Sequence, residues 1–213
     1  MEAKCAPAAA VISRWKMSDR ASRAPGLIGP NAILQMLPQI EALDGSDAVG
    51  RMLERAGVRC IPSGNEMIPE SDAARPHQAV RREVPGDAEA LCAAAGRDTA
   101  RYILRHRIPK PVQRMLRLLP PGLAAEMLSK AIARHAWTFA GSGTFHRDSP
   151  WRFRIGDNPF IRGEASGMPV CIWHAAVFEH LYRTLVHRDC SCVETTCGAQ
   201  PGHNMCVFEM RIR

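Results

Sequence analysis

Aromatic residues are scarce in this chain, 6% of the total, and no stretch interleaves them with cations. That absence argues against the stacking platform of a single-strand nucleic-acid binder, so no nucleic-acid partner is expected. Long apolar runs are missing too. Spanning a bilayer as a helix takes roughly 18 such residues, and the run from Ala8 to Ile12 is cut short by Arg14 and Lys16. A basic start, long apolar centre and small-residue cleavage site are also lacking, which makes a cytoplasmic chain the expectation. No G-x-G-x-x-G follows a strand pattern: Gly141 and Gly143 fall inside an expected strand with no helix after it. The cysteine spacings do not match the compact runs that hold iron–sulfur clusters. No internal repeat is present.

What is there is ordinary globular material. Hydrophobic residues make up 46% and charged residues 23% of 213 positions, enough for a buried core. The formal charge of +7 favours acidic partners. Residues 1–25, rich in Ala, Ser, Arg and Pro, read as a loose tail, and 26–213 as a single domain.

Apolar residues Ile33, Leu34, Leu37, Ile40 and Leu43 recur at helical spacing up to Gly45, and Asp47 to Ala56 reads as a second helix. Pro62, Pro69, Pro76 and Pro85 make 60–86 a connecting loop. Asp87 can cap a helix to His106, and two shorter helices follow, Val112 to Leu119 and Gly122 to His135. Then the period changes. Trp137 to Phe145 and Trp151 to Asp157 alternate as strands, Met168 to Val186 is helical, and Arg188 to Thr196 and Met205 to Ile212 close the chain as strands. The fold class is therefore α+β: N-terminal helices packed on a mainly antiparallel sheet with one embedded helix.

The 8 cysteines are Cys5, Cys60, Cys92, Cys171, Cys190, Cys192, Cys197 and Cys206. Clustering toward the C-terminus reads as metal ligands sooner than as disulfides. Cys197 and Cys206 flank a turn rich in Gly and Pro, Glu194 lies three residues before Cys197, and Cys171 opens the embedded helix, where amide dipoles favour a thiolate. A closed tetrahedral zinc site takes this donor set. Spacing alone leaves two alternatives open: buried apolar cysteines, and Cys192 in place of Glu194.

The stretch from Phe153 to Ile212, with Cys171, Glu194, Cys197 and Cys206 in register, resembles the 4-vinyl-reductase-domain family. The family pattern is a Cys opening a helix, then Glu-x-x-Cys and a final Cys before a terminal strand. The resemblance implies structural zinc on those four residues, and a fold related to vesicle-tethering subunits of the Bet3 type. Residues 130–213 are the core of that likeness. The domain is similar to the sensors of phenol-responsive activators, but no DNA-binding or ATPase segment is expected here. Relatives often carry Gly on the embedded helix where this chain has Ala175 and Ala176.

The whole chain is similar to a bacteriochlorophyll-biosynthesis family. That implies a magnesium tetrapyrrole intermediate as ligand and the enzymes of that pathway as partners, with a homodimer as an open alternative. The first reading is a carrier or assembly factor for protochlorophyllide or magnesium protoporphyrin. The alternative is an 8-vinyl (4-vinyl) reductase using an external reductant, and a third is a scaffold that docks other enzymes. Side chains alone supply no hydride, and no cofactor motif is visible. Expected pocket walls are Trp137, Phe145, Trp151, Phe160 and Trp173, with Phe139 and Phe153. His135, His146 and His174 are the expected axial or polar contacts. Arg101, Arg105, Arg107, Lys110, Arg114 and Arg117 form a basic helical region suited to propionates or to an anionic surface peripheral to the photosynthetic membrane.

Overall fold

The computed structural model describes residues 26–213, so the tail expected over 1–25 lies outside the described residues. The expected first helix is bent into α1 (Asn31–Leu34) and α2 (Leu37–Asp44). Pro38 near the start of α2 explains the break, because it has no amide to continue the ladder. Gly45, at φ +77°, ends α2 and admits α3 (Ser46–Arg55); only a residue without Cβ takes that backbone without strain.

One expectation fails over 60–86. The region contains a fourth helix, α4 (Glu70–Glu83), with Pro76 inside it. Buried Ala73, Ala74, Ala79 and Val80 hold its inner face, and His77 Nε2 lies 2.8 Å from Ala32 O. That packing outweighs the cost of an interior proline, about 3 kcal/mol. Just before α4, β2 (Ile68–Pro69) pairs antiparallel with β1 (Leu27–Ile28).

Next come α5 (Ala88–His106), α6 (Lys110–Leu118) and α7 (Pro121–Arg134), close to their expected bounds. A second correction follows. Trp137 to Phe145 is not one strand: α8 (Trp137–Ala140) comes first, and Gly141 at φ +57° turns the chain into β3 (Thr144–Ser149). Four alternating residues are too few to tell a strand from a helical turn.

β4 (Arg152–Gly156), α9 (Ile172–Leu185), β5 (Cys190–Thr196) and β6 (Met205–Ile212) complete the fold. The sheet order is β3-β4-β6-β5, antiparallel throughout. α9 presses Phe178 and Tyr182 against Phe153, and Phe178 also meets Phe208. Its other side meets α5 very closely. A Cβ on Gly96 would lie 2.6 Å from Trp173 O and 2.7 Å from Ala176 Cβ. The small residue needed for this crossing therefore sits on α5, opposite Ala176.

Candidate metal centre

Three elements meet at one buried point. Cys171 caps the start of α9, Glu194 lies late in β5, and Cys197 and Cys206 stand at the two sides of the closing hairpin. A register shift between Glu194 and Thr196 bulges β5 before it leaves the sheet at Cys197. One ligand atom from each of Cys171, Glu194, Cys197 and Cys206 lies within 4.8 Å of the others. Cys171 Sγ and Cys206 Sγ are 3.3 Å apart, Cys197 Sγ and Cys206 Sγ 4.0 Å. Tetrahedral Zn–S bonds of about 2.3 Å put sulfurs about 3.8 Å apart, so these spacings fit a closed tetrahedron. Cys192, the alternative fourth ligand, is not in the group.

The protein also supplies the supports that such a centre needs. The Cys171 amide donates to Glu194 Oε2 at 2.7 Å. Asn158 Nδ2 donates to Cys171 Sγ at 3.2 Å and to Cys206 Sγ at 3.6 Å. Hydrogen bonds of this kind orient ligands and stabilise thiolate charge. Glu194 Oε1 is buried with no hydrogen-bond partner among the described residues, and its neighbours are the Cys197 and Cys206 sulfurs. Burial and the Cys197 sulfur push the Glu194 carboxyl up to about 8. Burial also pushes the Cys171 thiol up, whereas hydrogen bonds from Cys171 and Cys206 push Cys197 down. Three thiols and a carboxyl with no cation between them are a costly set to bury. The donor chemistry can hold a metal ion.

Residues 151–212, which contain all four donors, match the model of the 4-vinyl-reductase domain family. The chain is 45% identical over 185 residues to the bacteriochlorophyll synthase 23 kDa chain of Cereibacter sphaeroides, covering 86% of this chain and 89% of that one. It is 43% identical over 183 residues to the chain of the same name from Rhodobacter capsulatus, covering 85% of each. This chain belongs to that family. The fold has further parallels at low identity. An H-NOX protein from S. oneidensis in the Fe(II)NO ligation state superposes with TM-score 0.55 at 11% identity, covering 87% of this chain and 99% of that one. A structure from work on heme distortion in the H-NOX family gives 0.51 at 11%, covering 87% and 95%. These two likenesses show the fold alone.

The eight ligand-contact residues expected from the sequence of this family member are not brought together. His135, Trp137 and His146 are exposed. Phe160 stacks on Trp173 at 5.2 Å, and the buried His174 ring is ringed by Phe139, Phe160, Trp173, Phe178 and Phe208. Phe145 packs on Phe139 and Phe153, and Trp151 on Tyr182. Burial pushes His77 down to about 3 and His174 down to about 4, so both rings are neutral at pH 7.

A groove of about 560 Å³ opens elsewhere, between the end of α4, the start of α5 and the loop 163–170. Pro85, Ala88, Met168, Pro169, Val170 and Ile172 give it apolar walls. Arg81, Arg82, Glu89 and Glu164 give it charge, and Arg81 is paired with Glu164 at 2.5 Å. Val170 and Ile172 flank Cys171, so the metal centre and the groove share a wall. Ser166 N donates to Ala199 O at 2.9 Å, and Gln200 Nε2 to Gly167 O at 3.3 Å. These bonds tie the groove loop to the hairpin turn between Cys197 and Cys206. A smaller cleft of about 260 Å³ gathers Arg101, Arg105, Lys110 and Arg117, four of the six cations expected to act together.

Sequence reasoning missed Asn158, Arg81 and Arg82. Only the Asn-Pro step at 158 offered a signal, and it reads as a turn rather than as a donor to sulfur.

Proposed function

We propose that this chain binds a magnesium tetrapyrrole intermediate of bacteriochlorophyll synthesis and carries it to the enzymes of that pathway. Zinc on Cys171, Glu194, Cys197 and Cys206 serves as a structural brace. The observation that carries the reading is the groove whose wall begins at Cys171. At about 560 Å³ it falls in the usual range for ligand sites, and it combines a long apolar wall with arginines. Arg82 has no ion pair among the described residues, which leaves it free to meet a propionate. Glu89 offers a carboxylate oxygen, the donor type that magnesium prefers. The names of the relatives supply the pathway.

Within this reading each part has one task. The apolar wall covers the macrocycle face and excludes water from it. Arg82 fixes the orientation of an acidic edge. Zinc, when bound, holds the start of α9 to the hairpin, and through Ser166 and Gln200 the hairpin holds the groove loop. With three thiolates and one carboxylate on the metal, no position is left for substrate.

The test is an absorbance titration with divinyl magnesium protochlorophyllide, followed by NADPH in the same cuvette. A saturable Soret shift, at least tenfold weaker in Arg82→Glu and with no later conversion, is expected. Absence of any shift would remove the carrier reading. Conversion to the monovinyl product would make the chain a reductase instead.

A further inference from the structure

The stretch from the end of α5 to the start of α7 has a charge pattern that neither the metal centre nor the groove uses. Between Thr99 and Ala125 it carries Arg101, Arg105, Arg107, Lys110, Arg114 and Arg117, and no Asp or Glu at all. Arg101 pairs with Asp98 and Arg117 Nε donates to Thr184 O at 3.0 Å, but Arg105, Lys110 and Arg114 have no acidic partner among the described residues.

The same stretch exposes apolar side chains. α6 buries Gln113 and Leu116, and Gln113 Nε2 donates to Leu104 O and Ile108 O. Its outer surface divides lengthwise. Val112, Met115 and Leu118, at three-residue spacing, form an apolar stripe beside Lys110, Arg114 and Arg117. Leu118 is 87% exposed. Beyond the Pro120–Pro121 turn the exposed apolar set continues on α7 with Leu123 and Met127, at 57% and 44%. A contiguous exposed apolar surface is rare on a protein meant to face only water.

We infer that α6, the turn after it and the start of α7 dock on an anionic lipid bilayer. An interfacial helix has this composition: an apolar stripe that enters the headgroup layer and cations alongside it that meet lipid phosphates. No helix among the described residues is long and apolar enough to cross a membrane, and this face gives contact without crossing. Charge complementarity selects the occupant. A second copy of the chain would set Lys110, Arg105 and Arg114 against the same cations, with no acid on either face to offset them. The inference does not depend on pigment binding.

The full chain is sedimented with phosphatidylcholine vesicles and with vesicles of equal parts phosphatidylcholine and phosphatidylglycerol. Binding to the anionic vesicles alone, weakening with salt, is expected. Lys110→Gln combined with Arg114→Gln should lower the partition about thirtyfold. Leu118→Ser should keep low-salt binding and lose the fraction that survives high salt. These side chains are exposed, so circular dichroism and metal content should match wild type. No binding to phosphatidylglycerol vesicles, or binding unchanged in both variants, overturns the inference. So does a dimer in solution that Leu118→Ser abolishes while vesicles bind nothing.

Discussion

Glu70 and Glu194 are both buried carboxylates, 8% and 6% exposed, set in opposite surroundings. Glu70 receives hydrogen bonds from Ser142 N, Ser142 Oγ and Arg162 Nη1, each at 2.7 Å. Burial alone would raise its pKa, but these bonds outweigh burial and hold it below the ordinary 4.5. Glu194 has one amide on Oε2 and three thiol groups around it, with no positive side chain in the cluster. One region supplies its own counter-charge; the other leaves the counter-charge to come from outside. A buried acid without a cation is costly, so the Glu194 region makes sense only with a metal, whereas the Glu70 region is complete as it stands.

The largest way to break this comparison is Cys197→Ser. It should release the metal and lower unfolding stability by several kcal/mol, read as a fall in denaturant midpoint that chelator does not deepen. Equal stability of variant and wild type, both without chelator, would show that the cluster needs no metal.

Glu70→Gln comes next. It should cost about 1–3 kcal/mol, with or without chelator, because Arg162 and Ser142 lose a charged partner. Its pH signature follows from the lowered pKa. The Glu70 contribution is fully present above the unfolded-state pKa and is lost as pH falls through the lower folded value. In chelator, the acid-side slope of stability should therefore be shallower in Glu70→Gln than in wild type, as measured by urea unfolding at a series of pH values. Equal slopes would mean that Glu70 is not the group titrating.

The smallest and most discriminating change is Glu194→Gln. With chelator present it should sit within about 0.5 kcal/mol of wild type, since an amide still accepts from Cys171 N. Without chelator it should bind metal at least tenfold more weakly. A large loss in chelator would mean that Glu194 stabilises the fold through protein contacts alone.

Much of the two-region contrast was legible in the chain. Cys171, Glu194, Cys197 and Cys206 announced themselves by residue type and by their places around the closing hairpin, and the structure brings them together. The helix–sheet order followed from periodicity. The Glu70 region was hidden because the prolines around it read as loop, while burial of Ala73, Ala79 and Val80 decides for helix. Arg81 and Arg82 were hidden for another reason: charged residues on a helix face read as solvated until a loop distant in sequence folds over them. Hydrophobicity predicted that Phe160 and Trp173 would be buried, but not that they would stack on each other rather than line a groove. Gly96 is the inverse case. The expected small residues were on α9, and the one that permits the close crossing is on α5.

The most direct measurement is the metal content of the full chain purified without chelator, by native mass spectrometry, beside Cys197→Ser. The account predicts one zinc ion per wild-type chain and none in the variant. Wild-type chain that carries no metal, or a variant that retains it, would contradict the account.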